Sequence, residues 1–129
     1  MRIFKTRWFA RFAHQHEIAD LNLIEAIGRA EQGQIAANLG GYVIKQRLAG
    51  RNEGKSGGYR AVVIFRFDDR AFFIYGFPKN ERSNVRQDEL DGFRMLGKEL
   101  LGYSAEQLAA ALAAKALIEV KINEKNLQD

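Results

Sequence analysis

Lys45 and Arg47 stand two residues apart in the run Tyr42 to Leu48, and Arg60 opens the next apolar run. Between them lie Arg51, Lys55 and several glycines. On an extended strand Lys45 and Arg47 share one face, while Ile44, Gln46 and Leu48 take the other. Cations displayed on neighbouring strands around a loop suit a phosphate backbone, where each contact releases a counterion. The plainer alternative is a solvated surface rich in Lys and Arg.

The charge distribution extends beyond this cluster. From Tyr42 to Arg86 there are ten Lys or Arg against four acids, a balance of +6 in a chain whose net charge is +4. Residues 1 to 41 carry +1 and residues 87 to 129 carry minus 3, so the cationic field sits in the middle third. Such asymmetry points to nucleic acid or another polyanion.

Other chemistries find little to work with. The chain of 129 residues has no cysteine, which removes disulfides and thiolate metal sites and favours a reducing compartment. His14 and His16 are the only histidines, about 200° apart on a helix, and no further ligands converge with them. Neither a metal nor a cofactor is expected. Asp68 and Asp69 read as turn residues, and Asp88, Glu89 and Asp91 as acids at a helix start. The stretch Gly54 to Gly58 lacks the Walker spacing, since Gly50 falls one position late and a strand follows. No apolar run approaches the ~20 residues of a membrane span, and charge interrupts the first residues, so a soluble, cytoplasmic protein is expected.

The positioning elements follow from periodicity. Residues 2 to 5 read as a short strand, and Thr6 caps a helix over about 7 to 15 whose Trp8, Phe9 and Phe12 are expected in the core. Asp20 is placed to cap a second helix over about 21 to 32, with Leu23, Ile24, Ile27 and Ala30 as its apolar stripe and Gly33 after it. β-branched and aromatic residues then predict strands over about 42 to 48, 60 to 67 and 71 to 77, joined as an antiparallel meander. A helix over about 87 to 101 ends at Gly102, and Ser104 with Gln107 has capping-box spacing for a helix over about 105 to 116. Ile118, Val120 and Ile122 alternate with polar residues as a last short strand. The predicted class is α+β: one domain with an N-terminal helical hairpin on a small antiparallel sheet, and a C-terminal helical extension from about 103.

Three segments in order carry a family resemblance: Tyr-x-Ile-Lys-x-Arg at 42 to 47, Ser-Gly-Gly-Tyr-Arg at 56 to 60, and Tyr-Gly-Phe-Pro-Lys-Asn-Glu-Arg-Ser-Asn at 75 to 84 before a helix. Together they resemble the RelE/ParE toxin superfamily of bacterial toxin-antitoxin systems, nearest its RelE and HigB branch. The resemblance implies a toxin neutralised by a cognate antitoxin and acting as a ribosome-dependent, metal-independent mRNA endonuclease. In that chemistry the ribose 2′-hydroxyl attacks the adjacent phosphate. The site must remove one proton, stabilise the phosphorane and protonate the leaving 5′-oxygen. A cluster of Lys and Arg can do this, because a lysine amine can act as base among cations while arginine stays charged.

By motif position the resemblance makes Lys45 the base and Arg60 the group that stabilises the phosphorane, with Lys79 or Arg82 assisting the leaving group. It gives Arg47, Arg51, Lys55 and Tyr59 to RNA binding. The chain departs from the pattern at Val43 and Asn80, where some members carry Lys and Arg, and at Arg86, which stands where some place a base-stacking tyrosine. An arginine plane can also stack on a base. Two other functions remain open on the same residues: a non-enzymatic inhibitor of DNA gyrase, and a nucleic-acid-binding regulator that has lost turnover.

Overall fold

The computed structural model describes residues 1–50 and 58–121. The described elements run β1 (Arg2–Thr6), α1 (Arg7–Gln15), α2 (Asp20–Glu31), β2 (Ala37–Gly40), β3 (Val43–Leu48), β4 (Tyr59–Arg66), β5 (Arg70–Pro78), α3 (Gln87–Leu101), α4 (Ala105–Ala113) and β6 (Leu117–Val120). The strands form one six-stranded sheet in the order β2-β3-β4-β5-β1-β6. The class is α+β. The meander β3-β4-β5 is antiparallel, whereas β1 returns beside β5 in parallel, with Ile3 opposite Ala71 and Phe4 opposite Phe72.

Two features differ from the sequence expectation. Strand β1 precedes the helices as expected, but α1 packs chiefly on β5 and β1 while α2 packs on β3, so the first two helices do not stand out as a hairpin laid on a small sheet. The sheet also extends beyond the predicted meander: the expected first and last short strands join it as β1 and β6, and β2, which the sequence does not predict, pairs with β3 at its edge.

Strand periodicity divides the core into two layers. Ala61 and Val63 of β4 face a cluster with Phe9, Phe12, Leu23, Ile27, Ile44 and Leu48 under α1 and α2. Val62 and Ile64 face a second cluster with Phe4, Phe72, Leu100, Leu101 and Leu108 under α3 and α4. Each fully buried Phe, Leu or Ile contributes roughly 1.5–3 kcal/mol. Gln46 is wholly buried, and its Nε2 donates to the carbonyls of Ala26 (2.9 Å) and Gln34 (3.0 Å), which ties β3 to α2.

The helix ends show local chemistry deciding boundaries. Thr6 Oγ1 accepts from the Phe9 amide at 3.2 Å, and Ser104 and Gln107 form the capping box. Asp20 does not cap: the N-cap is Ala19, and the Asp20 carboxylate accepts from Lys5 Nζ at 2.9 Å. Phe9 and Phe12 are core residues as expected, but Trp8 is 45 % exposed, stacked on Phe12 and on Tyr75. Phe12 lies so close to β5 that a Cβ on Gly76 would meet its ring at 2.5 Å. Among the described residues no helix is long and apolar enough to cross a membrane.

Candidate nucleic-acid interface

The pairing of β3 with β4 builds the site. Lys45 sits opposite Val62, and Arg47 sits opposite Arg60. These side chains project on the face that carries α3, beyond the part of the sheet that the helix covers. Lys79, on the segment after β5, is drawn in because its backbone N–H donates to the Gly58 carbonyl at 2.9 Å. Lys45, Arg47, Arg60 and Lys79, with Ala36, Ser83 and Asn84, line an open depression of about 350 Å³.

Four cations from three segments therefore meet around one concave surface. Like charges directly opposite in a sheet destabilise it. Burial, and then the charge on Arg47, push the Arg60 guanidinium below its ordinary value. An anion placed between them would relieve the repulsion. Arg60 Nη1 donates to the Tyr59 carbonyl at 2.9 Å, and Lys45 Nζ donates to the Ser83 carbonyl (3.1 Å) and Asn84 Oδ1 (3.0 Å). The Lys45 amine is thus held at one place on the rim.

Arg82 and Arg86 are placed elsewhere. Arg82 donates through both terminal nitrogens to the Glu89 carboxylate, through Nε to the Asn84 carbonyl at 2.9 Å, and packs over the Phe77 ring. Arg86 is exposed; its side chain pairs with Asp88, and its backbone N–H donates to Glu89 at 2.8 Å. These bonds hold Glu89 well down, at about 2, with the Arg82 hydrogen bond the largest cause. The clamp fixes the turn that presents Ser83 and Asn84 to Lys45.

Tyr59 does not line the depression. Its ring packs with His16 (5.0 Å) and edge-on to Phe12 (6.0 Å), on the α1 side of the sheet. Arg51 and Lys55 lie outside the described residues. Sequence reasoning did not single out Ser83, Asn84 or Glu89 for the site. Asn84 ends the third motif segment, and Glu89 sits at the third position of α3, where a carboxylate commonly reaches back to the N-cap amide.

Residues 1–120 match the family described as RelE toxin of the RelE / RelB toxin-antitoxin system. The chain belongs to that family. It is a toxin of a toxin-antitoxin system, and a cognate antitoxin is its partner. No curated protein matches the chain.

Proposed function

We propose that this toxin is a ribosome-dependent, metal-independent mRNA endonuclease of the cytoplasm, with the Lys45 depression as its active site. The observation that carries the reading is the convergence of Lys45, Arg47, Arg60 and Lys79 on one open surface, with Lys45 Nζ held by Ser83 and Asn84. Lys45 takes the proton from the 2′-hydroxyl as its oxygen attacks the adjacent phosphorus. The bond from phosphorus to the 5′-oxygen then breaks, leaving a 2′,3′-cyclic phosphate and, after protonation, a 5′-hydroxyl.

Arg60 is the group suited to the phosphorane, because it is partly desolvated and permanently charged, and fixed donors act most strongly where water is displaced. Arg47, exposed across the ladder from it, holds a flanking phosphate. Lys79 is the candidate for the leaving-group proton, since Arg82 is committed to Glu89 and Asn84.

Induction in a growing culture, followed by transcript mapping, tests the reading. Wild type is expected to arrest growth with cleaved messages, and the Lys45→Ala/Arg60→Ala double variant to leave growth and transcripts intact. Arrest with intact transcripts and inhibited supercoiling would overturn it in favour of gyrase inhibition.

A further inference from the structure

At the opposite end of β4 from Arg60 lies a depression of about 430 Å³, lined by Gly41, Tyr42, Arg66, Arg94, Lys98 and Leu101 with Gly102. Arg60 and Arg66 project from the same face of one strand, six residues apart, which sets the two depressions about 20 Å from each other along the sheet. Helix α3 passes between them, with Gly97 against Ile64.

Three cations from two elements line this surface, and among the described residues no carboxylate does. Arg94 donates to the Leu39 carbonyl, and Arg66 donates to Asp69 and, at 3.4 Å, to the Leu101 carbonyl. These bonds fix the two guanidiniums in place. Asp69 and Asp91 partly offset their charge from outside the lining. Lys98 extends the positive rim from an exposed position on α3.

Tyr42 supplies the second observation. It is 56 % exposed, with the Arg66 guanidinium carbon 5.9 Å from its ring centre, yet its φ is +65°. Gly40 (φ +82°) and Gly41 (φ +61°) precede it in the same left-handed region, and both abut the Arg94 side chain. Glycine adopts this backbone without strain, whereas a bulky side chain carries a steric cost. A large aromatic ring that faces solvent at such a turn, beside a cationic surface, is available to a ligand.

We propose that the Tyr42–Arg66–Arg94–Lys98 depression is a second RNA-contact site, taking an unpaired base on the Tyr42 ring and the adjacent phosphate on Lys98 and the arginines. Aromatic rings stack any base, and neighbouring cations supply the backbone contact. The site is separate from the Lys45 depression and stands or falls independently of the cleavage reading.

Nuclear magnetic resonance titration of the purified toxin tests it, with a short 2′-O-methylated oligoribonucleotide that cannot be cleaved and inorganic polyphosphate as the probe without bases. The oligonucleotide is expected to shift the amides of Gly41, Tyr42, Lys98 and Gly102 saturably. Tyr42→Gly should weaken that binding roughly 5- to 100-fold while leaving the melting temperature unchanged or higher. Lys98→Gln should weaken it about two- to fivefold. Tyr42→Asn, whose side chain tolerates the left-handed backbone, controls for a change in the turn. Shifts confined to the surroundings of Lys45, or unchanged binding by both Tyr42 variants, would overturn the proposal while sparing the cleavage site. Equal effects of polyphosphate and oligonucleotide would overturn the base contact, and no shift at the Tyr42 depression would overturn the proposal.

Discussion

Arg47 and Arg60 face each other directly across β3 and β4, one exposed and one partly buried. Two guanidiniums in that relation oppose folding and favour an anion between them. Removing the exposed member separates the two effects: Arg47→Gln is predicted to raise stability by roughly 0.2–1 kcal/mol and to weaken RNA binding. Thermal denaturation reads the first effect. The slope of log affinity against log salt reads the second and should become shallower by about one phosphate contact.

Glu89 makes stability depend on acid. Its folded value, about 2, lies below the ordinary 4.5, so its bonds to Arg82 and the Arg86 amide stabilise the fold fully above the ordinary value. That contribution is lost as pH falls through the folded value. Denaturant midpoints measured from pH 6 to pH 2 should fall in wild type and be flatter in Glu89→Gln. With screening of a surface pair discounted, the difference at neutral pH is roughly 1–2 kcal/mol.

Asn84 presents one of the two acceptors on Lys45 Nζ. Asn84→Ala should leave the fold intact, because the residue is exposed, and lower the cleavage rate several-fold through a freer amine. Single-turnover rates at saturating substrate are the check: a change in substrate affinity with an unchanged rate would contradict a positioning role.

Gly76 is required by packing. Gly76→Ala would drive a methyl group into the buried Phe12 ring, at a predicted cost of about 1–3 kcal/mol. Chemical denaturation measures it, and Gly76→Ala combined with Phe12→Leu should recover part of the loss.

Strands β3, β4 and β5 are legible in the sequence because β-branched and aromatic residues concentrate there over a full strand length. Strand β2 is not, since Ala37, Asn38 and Gly40 have low strand propensity and the segment gains its order from pairing with β3 at the sheet edge. The parallel return of β1 to β5 is a long-range contact that no local period encodes. Trp8 shares the helical spacing of Phe12, and only the reach of neighbouring elements decides that Phe12 is covered while Trp8 is half open.

Within the site, period-two alternation alone places Lys45 and Arg47 on one face. Alternation does not encode the partner of each cation. Arg82 and Lys79 look alike in the sequence, yet α3 brings Glu89 to Arg82, while the bond to Gly58 turns Lys79 toward the depression.

The most direct test of the Lys45-centred cleavage chemistry is a single-turnover assay on purified ribosomes programmed with a defined message, in the presence of a metal chelator at a level that leaves the ribosome intact. The fragment ends and the rates of wild type and Lys45→Ala are read together. A 2′,3′-cyclic phosphate and a 5′-hydroxyl, formed by wild type and at least about 100-fold more slowly by Lys45→Ala, are the predicted result. Fragments with other termini, or equal rates for the two proteins, would contradict it.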